Sequence, residues 1–170
     1  HVREHILKLG QKGYWRQRDA TPEFVVLFLP DESFLRAALE HDPSLTELAA
    51  EESERLSIGA QRPTRAFPLT AIREVFEETG LIVGRAASGL GDVPAAWSDY
   101  YAQGAAPCLA GFQFVGRAIT PPGRTRRFDA RFFTMDAGAI AHRIEGVTGP
   151  DAELVELVWM PLSDAKQLDM

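Results

Sequence analysis

The stretch Leu69-Thr70-Ala71-Ile72-Arg73-Glu74-Val75-Phe76-Glu77-Glu78-Thr79-Gly80-Leu81 decides how this sequence is read. On a helix each residue advances about 100°, so Leu69, Ile72, Val75, Phe76 and Thr79 share an arc of roughly 120° that packs inward. Glu74, Glu77 and Glu78 fall in an arc of about 100° nearly opposite. Arg73 lies at the edge of that arc, one turn before Glu77, where an i,i+4 ion pair is available. Gly80 is the residue expected where a helix ends in a left-handed cap. Three carboxylates this close repel one another. A solvated acidic face tolerates the repulsion; a hard divalent cation, which prefers oxygen ligands, removes it. Both readings stand on these residues alone.

Outward from this helix, strands and helices alternate. The run 24–29 (FVVLFL), set between Pro22 and Pro30, reads as a buried strand. Residues 31–57 read as helical: Asp31 caps a first helix through Glu40, and Ser44-x-x-Glu47 is a capping-box pattern behind Pro43. Gly and Pro make 58–68 a loop. Beyond the acidic helix come a short strand at 81–83, a Gly-rich connection at 84–93 and a short helix at 94–103. Further strands are expected at 112–118, 128–135 and 154–160, with a last helix from 163 onward. The interleaving suggests an α/β (α+β) fold, a mixed sheet between helices. Nothing resembles an interdomain linker, so 1–170 reads as one domain with a helical insertion at about 31–57.

Composition bounds the function. The chain has 170 residues, 45% hydrophobic and 25% charged, which excludes wholesale disorder. Its net charge of −6 argues against a protein that coats nucleic acid or an anionic membrane. No apolar run is long enough to span a bilayer. The single cysteine, Cys108, forms no internal disulfide and fits a reducing compartment; with no accompanying His it reads as an inert thiol. The four histidines make no zinc spacing with it. Five arginines lie between 117 and 131, at 117, 124, 126, 127 and 131. They read either as a solvated loop with ion pairs or as guanidiniums that clamp phosphate oxygens, Arg117, Arg127 and Arg131 being the candidates. Strand alternation puts Asp129 and Arg131 on one face, as a salt bridge or as pocket wall. Trp97, Tyr100 and Tyr101 serve as packing or stack on a base.

The string from Arg73 to Leu81 resembles the core of the Nudix box, R-E-U-x-E-E-x-G-U with U aliphatic, and all seven specified positions match. Gly59 stands fourteen residues before Arg73, as the longer box asks, but the Glu expected six residues after it is Arg65. No Gly-Gly pair precedes Arg73. From about residue 66 onward, the acidic helix with Arg117-x-Ile119-Thr120-Pro121-Pro122 and Arg126-Arg127-Phe128-Asp129-x-Arg131-Phe132-Phe133 is similar to a bacterial Nudix subgroup related to coenzyme A diphosphatase-like members.

The resemblance implies a Nudix-type α/β/α sandwich and a metal-dependent hydrolase. Its substrate would be the pyrophosphate bond of a nucleoside diphosphate linked to another moiety, a phosphorus-containing acid anhydride. It implies Mg²⁺ or Mn²⁺ held by Glu74, Glu77 and Glu78, with Glu77, Glu78 and Arg73 as the catalytic group and Arg73 orienting a glutamate. Glu153 or Glu156 offers a further metal ligand or general base, or is simply exposed. The partners expected are a small nucleotide-type substrate, no nucleic-acid polymer and no membrane, in the cytoplasm, with a homodimer open. Arg65 and the missing Gly-Gly turn keep a second reading: a catalytically inactive Nudix-fold protein that binds a nucleotide or a partner.

Overall fold

The computed structural model describes residues 24–28, 48–60, 62–87, 93–123, 129–161 and 164. Of the helical stretch expected at 31–57, residues 31–47 lie outside these residues, as do Arg127 and the last helix expected from 163 onward except for residue 164. Strand β1 (Phe24–Phe28) is followed by α1 (Ala50–Ser57), α2 (Ala66–Thr79) and β2 (Leu81–Ala86). A 3₁₀ turn (Ala95–Trp97) runs into the short α3 (Ser98–Tyr101), and then come β3 (Ala105–Pro107), β4 (Gln113–Ile119) and β5 (Asp129–Asp136). A second 3₁₀ turn (Ala137–Ala139) leads to β6 (Ile140–Arg143). The fold class is α+β, as the sequence pattern suggests.

The strands form two three-stranded sheets, ordered β1-β5-β4 and β3-β2-β6. Among the described residues every pairing is antiparallel, with Val26 opposite Thr134, Arg117 opposite Arg131 and Leu81 opposite Arg143. Two of these strands, β3 and β6, are too short and too poor in alternation to be read from sequence. The strand expected at 154–160 does not form. That segment runs irregularly and anchors itself by burying Leu154, Leu157 and Val158.

Helix α2 starts three residues before the expected Leu69, at Ala66. Pro68 is tolerated there because the first N–H groups of a helix have no partner within it. Its first two turns are buried all round, from Ala66 to Ile72, and Leu69, Ile72 and Val75 are wholly inaccessible. They pack with Leu81, Ile82, Val83, Tyr100, Phe133 and Met135 in one core. Trp97, Tyr100 and Tyr101 are buried in that core, with Tyr100 edge-on to both Phe76 and Trp97. They are packing residues, and the base-stacking role does not apply. No helix among the described residues is long and apolar enough to cross a membrane.

The helix ends as its sequence dictates. Gly80 adopts φ 73°, its N–H donates to the Phe76 carbonyl at 2.9 Å, and its own carbonyl accepts from Ile144 N–H at 2.8 Å. A Cβ at Gly80 would stand 2.3 Å from the Ile144 carbonyl oxygen, which is backbone and cannot step aside. Gly80→Ala therefore combines left-handed strain with a steric clash, and is expected to cost about 2 kcal/mol or more in urea unfolding. A loss below about 0.5 kcal/mol would mean that the α2–β2 junction relaxes freely.

Candidate functional site

The polar end of α2 carries the groups singled out in the sequence. Arg73 and Glu77 form the expected one-turn ion pair, Nε to Oε1 at 2.6 Å. Glu77 is exposed and Glu78 half-buried, but Glu74 is only 1% exposed. A two-faced helix would leave Glu74 in water. It does not, because structure packs around α2 on several sides through most of its length, and only Arg73, Phe76, Glu77 and Glu78 escape full burial after Pro68.

Glu78 is a strongly perturbed carboxyl. Its pKa is raised from 4.5 to about 7, first by burial and then by the neighbouring charges of Glu153 and Glu77. Glu153, on the irregular segment after β6, is thus near enough for its charge to act on the end of the helix. The Gly80–Ile144 hydrogen bond ties the start of that segment to α2. Among the described residues, no three His, Cys, Asp or Glu side chains gather closely enough to enclose a metal ion. The set Glu74, Glu77, Glu78 is accordingly not assembled as a cage. The arrangement fits a sparser site. Magnesium keeps several waters and takes one or two carboxylates together with phosphate oxygens, and a half-desolvated carboxylate beside like charges is what such a cation relieves.

The arginines lie elsewhere. Arg117 grips Asp129 with two parallel bonds, Nε to Oδ1 at 2.5 Å and Nη2 to Oδ2 at 2.6 Å, and donates to the Ile58 carbonyl at 3.4 Å. These bonds hold the Asp129 carboxyl below its ordinary range and the Arg117 guanidinium above its own. Gly59, φ 66°, leaves room for this arm, since a Cβ there would meet Arg117 Nη1 at 2.9 Å. Arg131, 5% exposed, has its guanidinium carbon 3.8 Å from the centre of the Phe67 ring and also leans on Asp129. Burial lowers its pKa. Phe67 lies eleven residues before Glu78, about 16 Å along the helix axis. Arg117 and Arg131 are thus engaged in holding β4, β5 and the 58–59 turn together, and Arg131 packs against the end of α2 opposite the glutamates.

Sequence reasoning missed Glu52, which is buried and accepts a bond from the backbone of Phe114. Nothing in a run of Glu and Arg on a polar helix marks one of them as buried.

The RmuC family model matches residues 1–57. Over this part the chain is 48% identical in 48 residues to the DNA recombination protein RmuC homolog of Zymomonas mobilis, covering 28% of this chain and 11% of that protein. To the RmuC homolog of Chlamydia pneumoniae it is 41% identical over 56 residues, 33% of this chain and 14% of that one. The chain thus spans about an eighth of the length of these relatives. A crystal structure of a Nudix hydrolase from Alicyclobacillus acidocaldarius superposes with a TM-score of 0.53 at 22% identity, over 98% of this chain and 82% of that one. That likeness shows the fold alone, and confirms the Nudix-type α+β architecture.

These findings correct the reading from sequence. The family model that matches is RmuC, so assignment to the Nudix hydrolase family does not hold, and the pyrophosphatase function inferred from it falls with it. The relatives are named for DNA recombination, which overturns the expectation that no nucleic-acid polymer is involved. The physical source of the error is plain. The seven-position string prescribes a helix end and its acidic rim, but carries no information on the first third of the chain.

The Glu78 environment predicts a pH dependence. Its folded pKa lies above its unfolded value, so the folded state binds more protons between about pH 4.5 and 7, and stability declines as pH rises through that window. Glu78→Gln removes the titration. Its melting temperature should exceed that of wild type at pH 8 and converge with it near pH 4.5. Parallel profiles for the two proteins would show that Glu78 titrates normally.

Proposed function

We propose that this chain acts on nucleic acid, holding a divalent cation between its Glu78–Glu153 carboxylates and a phosphate group, and that the chemistry served is hydrolysis of a phosphate linkage in that nucleic acid. The observation that carries the reading is the crowding at Glu78, a half-buried carboxyl pushed up to about 7 by burial and by Glu153 and Glu77. Such crowding is unfavourable in the bare protein and becomes favourable once a cation is bound. The names of the proteins similar to residues 1–57 support nucleic acid as the partner, and the fold of a solved hydrolase supports the reaction type.

Glu78 and Glu153 would bind Mg²⁺ or Mn²⁺ directly. Held by these carboxylates, such a cation would supply charge neutralisation of phosphate oxygens and a more acidic water molecule. Arg73 takes one oxygen of Glu77, so Glu77 contributes its field rather than a ligand. With net charge −6, the protein repels a polyanion at long range, and the cation is what makes close approach favourable.

The test is fluorescence anisotropy of labelled single-stranded and duplex oligonucleotides, with Mg²⁺ and with EDTA, followed by gel analysis of the strands. Binding is expected to weaken about tenfold or more in EDTA and in Glu78→Gln, the size of one lost charge-assisted contact. Shortened strands are expected with Mg²⁺ alone. Equal affinity with and without metal would contradict the reading.

A further inference from the structure

Between Arg143, the last residue of β6, and the buried Leu154 the chain forms no helix or strand. Glu153 lies at the far end of this stretch, so no ladder of regular structure sets its place relative to Glu78. A loop of this kind has many conformations open to it, and the repulsion of the two carboxylates favours those that part them. Something must hold Glu153 where its charge acts on Glu78.

Hydrogen bonds close the stretch in two steps. Gly149 N–H donates to the Leu154 carbonyl at 3.0 Å and Ala152 N–H to the Gly149 carbonyl at 3.1 Å, which makes 149–154 a tight turn with Glu153 inside it. Arg143 Nη2 donates to Thr148 Oγ1 at 2.9 Å, and so ties the start of that turn back to β6. Arg143 stands opposite Leu81 in the β2–β6 pairing, and the next residue, Ile144, bonds Gly80. The route from Glu78 through Gly80 and Leu81 to β6, Thr148 and Glu153 is therefore bonded at each step. Val147 packs the same junction, its Cγ2 3.0 Å from where a Cβ at Gly80 would stand. Arg55, Arg73, Arg117 and Arg131 each pair with a carboxylate. The Arg143 bond is to a hydroxyl, and its effect is to place a loop.

We propose that Thr148, held by Arg143, is a positioning residue for the cation site: its hydroxyl fixes the 149–154 turn so that Glu153 is kept within range of Glu78. The inference rests on the reading of Glu78 and Glu153 as cation ligands, and adds the group that brings the second ligand to the first.

Mn²⁺ titration of the full chain, read by the electron paramagnetic resonance of free Mn²⁺, tests it. Thr148→Val keeps the side-chain shape and removes the acceptor. It should weaken Mn²⁺ binding about tenfold, as does loss of a group that orients a ligand from outside. Thr148→Ser keeps the hydroxyl and should bind as wild type. In a Glu153→Gln background Thr148→Val should weaken binding no further, because the ligand it places is gone; a general loosening would act there in full. Amides of β2 should keep their hydrogen-exchange protection in both Thr148 variants. If Thr148→Val loses it, Arg143→Met, which keeps the apolar stem around the buried Nε position, carries the test with the same expected results. Mn²⁺ binding that Glu78→Gln weakens but Thr148→Val leaves unchanged would overturn this inference and leave the cation site standing. So would a loss that persists in full in Glu153→Gln, or a serine that fails to restore binding. Mn²⁺ binding absent from wild type, or indifferent to Glu78→Gln, would overturn the cation reading and this inference with it.

Discussion

At the end of α2 the backbones of Gly80 and Ile144 approach so closely that no side chain fits between them. The rest of the site depends on that contact. It fixes the turn from helix into β2, pairs that turn with the residue after β6, and so holds the start of the irregular segment leading to Glu153. Glu78, the last carboxylate of the helix, thereby acquires a neighbour from a part of the chain seventy-five residues away in sequence. Burial alone would raise its pKa, and the added like charges raise it further.

Much of this was legible in the sequence, and the rest was hidden for identifiable reasons. The helix, its Gly80 cap, the Arg73–Glu77 pair and the Leu69–Ile72–Val75 core face follow from helical period and propensity, because the interactions that set them are local. The burial of Glu74 was invisible, since it depends on how many neighbours α2 has. The same holds for β3 and β6, strands of three and four residues that exist only through pairing with β2. From sequence the arginine stretch reads as phosphate clamp or ion pairs, and the described part of it, Arg117 and Arg131, is committed to Asp129. What decided was register: β4 and β5 set Arg117 opposite Arg131, and one carboxylate must serve both.

The first third of the chain brings a different lesson. A nine-residue string led to a family that the comparison of residues 1–57 does not support. Yet those residues are integrated with the fold. β1 extends the sheet beside β5, and α1 closes the opposite edge at Phe114. A segment similar to DNA recombination proteins and a sheet similar to that of a hydrolase thus share one set of backbone hydrogen bonds and one edge closure.

The central claim is that the protein brings a cation at Glu78 and Glu153 into contact with a nucleic-acid phosphate. Phosphorus relaxation of a short oligonucleotide in the presence of trace Mn²⁺ reads that contact directly. The account predicts that adding the protein sharply increases the Mn²⁺-induced broadening of the phosphate signals, and that Glu78→Gln/Glu153→Gln abolishes the increase. Broadening that is the same with the protein, without it, or with the double variant would contradict the account.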